Sequence, residues 1–126
     1  MRFKSWEVAV IQEEYTNGGI ALTFIGFDAE PIDVEETFMI EDILMASVWV
    51  AGLENDQVAI KDYSENSGVL EWLGNNGFID LPIKSLEGNY VFNLSEHAQV
   101  YQGNSEDDML AVSKLLKDKA REMGLL

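Results

Sequence analysis

Residues 57–79, QVAIKDYSENSGVLEWLGNNGFI, constrain this chain more than any other stretch. Val58 and Ile60 alternate with Ala59 and Lys61, the pattern of a short strand with an apolar face. Ser64-Glu65-Asn66-Ser67-Gly68 breaks that alternation. Asn66 and Ser67 are both able to bond the unpaired amides that open a helix, which predicts one of them as a side-chain cap. Val69, Leu70, Trp72 and Leu73 then give one apolar face over two turns, predicting a helix over 68–75. Asn75-Asn76-Gly77 stops it through a left-handed residue, and Phe78 and Ile79 fold back against it. The unit is a packing module and carries no recognisable chemistry.

The rest of the chain supplies a sheet for that helix. Residues 3–15 read as a strand in which Ala9 and Ile11 spoil strict alternation, so both faces are apolar near its middle. Thr16-Asn17-Gly18-Gly19 predicts a hairpin through a type I′ Asn-Gly turn. Residues 20–27 are rich in β-formers. Asp28-Ala29-Glu30-Pro31 turns the chain. A third strand is expected over 32–40, one helical turn over 41–45 and a fourth strand over 47–51. After the helix at 68–75, Pro82 marks residues 80–84 as an edge or extended approach. A turn at 86–89 leads to a further strand over 90–94. Residues 95–104 show little pattern. Ser105 followed by Glu106, Asp107 and Asp108 is a cap with acids in the first turn. Met109, Val112, Leu115 or Leu116, Ala120 and Met123 continue at helical spacing to a stop at Gly124. The expected architecture is one α+β domain over residues 1–126. It has a mainly antiparallel sheet of five to six strands, with two helices, 68–75 and 106–123, on one face.

Charge decides which functions are excluded. The chain has 126 residues, a formal charge of −15 and a pI near 4.1. Residues 5–60 hold twelve acids and no Lys or Arg. Such a field argues against direct nucleic acid or anionic membrane binding, because phosphates need basic clusters. A basic protein surface is attracted instead. Cysteine is absent, which removes thiol catalysis, thiolate metal sites and disulfides. No export signal or membrane span is legible, so the expectation is a soluble cytoplasmic protein.

Candidate chemistry is thin. His97 is the single histidine, with no second imidazole to pair with it. Ser95 and His97 lack the context of a nucleophile elbow, so a loop residue is the plain reading. Glu106-Asp107-Asp108 and Asp28-x-Glu30 lack the ligand spacing of a calcium loop. Asn17-Gly18-Gly19 lacks the rest of a phosphate cradle. No metal, cofactor or catalytic residue is assigned. Trp6, Trp49, Trp72, Phe24, Phe38 and Phe92 read as core, and Tyr15, Tyr63 and Tyr101 stand beside turns. The one patch with physical content is acidic: Asp28, Glu30, Asp33, Glu35, Glu36, Glu41 and Asp42. No cation is near them in sequence, so together they can steer a basic partner. On one face they would imitate the phosphate track of a duplex. The bland reading is a solvated face kept for solubility.

Gly19-Ile20-Ala21-Leu22, Ala29-Glu30-Pro31, Val58 and, above all, Asn66-x-Gly68-x-Leu70-Glu71-Trp72-Leu73-x-Asn75-Asn76-Gly77-Phe78 resemble a family of short, acidic, uncharacterised bacterial proteins, a domain of unknown function often encoded on conjugative elements. The resemblance covers roughly residues 18–94. A looser similarity, in charge and around Lys61-Asp62-Tyr63, is to ArdA-type antirestriction proteins, which are acidic DNA mimics. The family has no established activity to imply, and the looser similarity favours partner blocking by analogy without assigning any residue. The expected function is a non-enzymatic acidic protein-binding domain. Two other expectations stay open beside it: an immunity-type protein that neutralises a toxin, and a small acid-dependent hydrolase.

Overall fold

A computed structural model describes residues 1–32 and 38–126, and its frame is set by the two longest strands. These are β2 (Trp6–Glu14) and β3 (Ile20–Asp28), paired antiparallel from Trp6↔Asp28 to Glu14↔Ile20. The short strand β1 (Arg2–Phe3) folds onto one end of β2 through Lys4 and Ser5. On the far side of β3 lies β4 (Glu41–Met45). The second sheet is small: β5 (Gln57–Ala59), β7 (Asn89–Asn93) and β6 (Lys84–Leu86), in that order. A strand β8 (Val100–Gln102) returns to β2 and pairs with it in parallel. The helices are α1 (Val69–Asn75), preceded by a 3₁₀ turn (Ser64–Asn66), and α2 (Glu106–Glu122). The α+β class and the dominant antiparallel pairing are as expected from the sequence.

The two helices lie on opposite faces of the large sheet, not on one. Val8 and Val10 of β2, with Ile20, Leu22 and Phe24 of β3, pack against Val69, Leu73 and Phe78. Ala9, Ile11 and Phe27 point the other way and pack against Val112, Leu116 and Ala120 of α2. The reason is the doubly apolar middle of β2 and β3: each face has hydrocarbon to remove from water, so each needs a cover. The α1 face carries the larger aromatic cluster. Phe3, Phe24, Trp72 and Phe78 form a chain of ring contacts, with centroids 4.9 Å apart for Phe24 and Trp72. Burying Phe24 completely stabilises the fold by about 1.5–3 kcal/mol.

Several local expectations change. Residues 41–45 form an edge strand, not a helical turn. A bulge sets Phe24 opposite Leu44 and Ile25 opposite Asp42, leaving Ile43 as the extra residue. Ile43 and Leu44 both pack on the α1-side core, which breaks the alternation that a strand would show. Residues 47–51 are not a strand. They make an isolated bridge, Ser47↔Ile60, and Val48 donates to the Ala59 carbonyl. Val50 takes the buried position there, leaving Trp49 41% exposed instead of in the core. The strand expected over 32–40 falls mostly on residues 33–37, outside the described residues; Phe38–Ile40 is not strand.

Turn chemistry moves as well. Positive φ falls on Gly18 and Gly19 and not on Asn17, so the β2–β3 hairpin is longer than an Asn-Gly type I′ turn. Two successive positive φ angles do occur at Glu87-Gly88, between β6 and β7. Neither Asn66 nor Ser67 caps α1. The Asp62 carboxylate accepts from Leu70 N–H at 2.9 Å instead, while Asn66 is buried and its amide donates to the Met45 carbonyl. The stop is as read: Gly77 lies at φ 78°, and Phe78 N–H reaches back to the Leu73 carbonyl at 2.9 Å. Ser105 caps α2, its hydroxyl accepting from Asp108 N–H at 3.2 Å.

Candidate acidic interface

The exit of β3 and the start of β4 bring four of the seven expected acids to one end of the large sheet. Asp28 closes β3, and its carboxylate accepts from Glu30 N–H at 2.9 Å, a local turn that holds the next residues in place. Ala29 N–H donates to the Ser5 carbonyl at 2.8 Å, tying this exit to the β1–β2 turn. Across the ladder, Glu41 stands opposite Gly26 and Asp42 opposite Ile25. Strand geometry then puts the Cα atoms of Asp28 and Glu41 on the order of 8 Å apart, one strand spacing across and two residues along. Glu30, Glu41 and Asp42 are exposed, and Asp28 is half-buried. Asp33, Glu35 and Glu36 lie outside the described residues.

The four carboxylates make a rim and not a flat face. Adjacent strand residues point to opposite sides. Glu41 therefore shares the side of its partner Gly26, and Asp42 that of Ile25, which packs in the α2-side core. The rim also contains cations that the sequence order hides. Arg2 reaches Glu30 with a nitrogen–oxygen distance of 3.3 Å, both side chains being well exposed. Lys4 lies in the adjoining turn, its ammonium 5.2 Å from the Phe3 ring centroid. Counting charges along the chain finds no positive residue between 5 and 60, yet the β1–β2 hairpin folds Arg2 and Lys4 back onto this end. The signal that could have located them is the Trp6↔Asp28 register.

Next to the rim, Glu7 is buried at 4% exposure opposite Phe27. One of its oxygens lies 3.5 Å from the terminal amine of Met1; the other has no partner among the described residues. Sequence reasoning did not single it out, because nothing in TrpGluVal distinguishes a buried strand acid from an exposed one.

The remaining candidates keep their plain readings. His97 is exposed, and its backbone N–H donates to Ser95 Oγ at 3.3 Å. Asp108 is used structurally, accepting from Gln102 N–H at 2.7 Å. Among the described residues no cluster of three or more His, Asp or Glu side chains has a geometry that could hold a metal ion. Among those same residues no helix is long and apolar enough to cross a membrane. What the rim can do chemically is present fixed negative charge at one end of the sheet. Comparison with known protein families, curated proteins and solved structures finds no match for this chain.

Proposed function

We propose that the chain is a non-enzymatic acidic binding protein that blocks a basic protein surface, its target being a nucleic-acid-binding protein. The observation that carries this reading is the convergence of Asp28, Glu30, Glu41 and Asp42 at one end of the sheet, within a chain of net charge −15. Arg2 neutralises part of Glu30, so the outward charge is carried chiefly by Glu41 and Asp42 on the edge strand. Electrostatic complementarity of this kind accelerates encounter and selects the sign of the partner. The sequence resemblance to short acidic proteins of mobile elements, and to antirestriction DNA mimics, agrees with it as an analogy of charge.

The test is competition. A basic bacterial DNA-binding protein holding a fluorescent duplex is titrated with this chain at 50 and 200 mM salt. The expected result is displacement of the duplex, weaker by about tenfold or more at the higher salt. The double variant Glu41→Lys, Asp42→Lys should weaken displacement by at least a further tenfold, since like charges facing a basic surface cost several kcal/mol at close approach. Displacement that ignores both salt and charge reversal would overturn the reading. A tight partner that duplex DNA does not compete for would favour the immunity-type function instead.

A further inference from the structure

Away from the acidic rim, a shallow cleft of about 210 Å³ opens between α1 and the small sheet, lined by Ile60, Asp62, Tyr63, Leu70, Asn89 and Tyr90, with Gly88 beside them. Its geometry follows from three elements. Ile60, just past β5, donates its N–H to the Tyr90 carbonyl at 3.2 Å. Tyr63 precedes the 3₁₀ turn, and Leu70 lies in the first turn of α1. Asp62 is locked across the gap by the bond from Leu70 N–H. Ile60 is buried and Leu70 half-buried, so they supply apolar surface. Tyr63 and Tyr90 are 53% and 55% exposed, too open for core residues and close enough to line one space.

The size selects the class of guest. Small-molecule sites run from about 300 Å³ upward, so this cleft suits one side chain of a partner better than a free ligand. The lining selects the chemistry. Two tyrosine side chains, a fixed carboxylate, an amide and an apolar base complement a side chain with a hydrocarbon stem and a flat cationic head. One of the rings already meets a cation: Lys61 Nζ lies 5.4 Å from the Tyr63 centroid. That ammonium is paired with Glu65 at 2.7 Å, so it does not leave an uncompensated positive charge at the cleft. The overall charge of −15 favours a cation over an acidic or neutral guest.

We infer that this cleft receives an arginine side chain of the basic partner. The inference rests on the reading that the partner is basic, and it adds a recognition point distinct from the rim. The guanidinium stacks on the tyrosine rings and faces Asp62, while its stem covers Ile60 and Leu70. The rim then sets the rate and sign of encounter, and the cleft sets which residue of the partner is gripped.

The experiment is an NMR titration of the full chain with N-acetyl-arginine-amide, and in parallel with its uncharged citrulline counterpart. Saturable shifts are expected at Tyr63, Leu70 and Tyr90 with the arginine compound, and at least fivefold weaker ones with citrulline, which lacks the charge. Asp62→Asn keeps an oxygen for Leu70 N–H while removing the charge, and should weaken binding about threefold. Tyr90→Leu should weaken it about fivefold. Equal response to citrulline, or shifts confined to Glu41 and Asp42, would overturn the inference. Arginine binding in the cleft together with no displacement of duplex DNA would leave it standing and remove the proposed target instead.

Discussion

The two faces of the large sheet are covered by different means. On one side α2 is long, 17 residues, and carries its own instructions: a Ser105 cap, three acids in its first turn and Gly124 beyond its end. On the other side α1 has only seven residues, no side-chain cap of its own, and a left-handed glycine before it. A helix that short is not stable alone in water. It is held by ties from elsewhere: Asp62 on Leu70 N–H, Asn66 on the Met45 carbonyl, and the Trp72 indole N–H on the Arg2 carbonyl. The lesson is that a helix can be specified by its own residues or by its neighbours, and only the first kind is complete in the local sequence.

The contrast can be broken by removing hydrocarbon from each face. Phe24→Ala, on the aromatic α1 side, should cost about 3–5 kcal/mol, and Leu116→Ala, under α2, about 2–4 kcal/mol. Denaturant unfolding of both variants measures the difference; a larger loss at Leu116 would mean that α2, not α1, covers the dominant core. Capping gives a finer test. Ser105→Ala and Asp62→Ala should each cost about 1 kcal/mol. They should differ in where hydrogen exchange accelerates. Loss of Ser105 frays the first turn of α2 alone, whereas loss of Asp62 loosens all of α1. Acceleration confined to the first turn in both would erase the distinction.

The smallest effect concerns the ion pair just ahead of α1. The hydrogen bond from Lys61 is the main cause holding the Glu65 carboxyl below its ordinary value of 4.5, and the same bond holds Lys61 above 10.5. A lowered acid stabilises the fold above its unfolded value and loses that effect as pH falls through the folded one. A raised lysine does so below its unfolded value and loses it as pH rises. The contribution is therefore full between about 4.5 and 10.5 and fades outside that window. In Lys61→Met the Glu65 titration, followed by carboxyl NMR, should move up toward 4.5. A midpoint that stays low would show that backbone bonding in the 3₁₀ turn, and not Lys61, sets it.

The same division explains what could be read in advance. The α2 helix was legible because its cap, periodicity and stop are all local. The span of α1 was legible to within a residue, but its cap was not, since Asp62 acts across the intervening 3₁₀ turn. Strand β4 was hidden by its bulge, which makes Glu41-Asp42-Ile43-Leu44-Met45 look like a helical turn. Strand β8 was hidden because its partners, Val10 to Gln12, lie about ninety positions earlier. The acids of the rim could be counted, but the approach of Arg2 and Lys4 depends on a strand register that no short window contains.

The bulge in β4 also bears on how this molecule coexists with its own copies. Among the described residues no strand pairs with the outer side of β4, and although Asn66 takes the Met45 carbonyl at its far end, such an edge is a place where a neighbouring strand could pair. The extra residue twists that border out of register, and Glu41 and Asp42 then project to either side of it. A second copy approaching side by side would meet a kinked backbone guarded above and below by like charges. A kink and like charges of this kind disfavour edge-to-edge pairing between copies along this border.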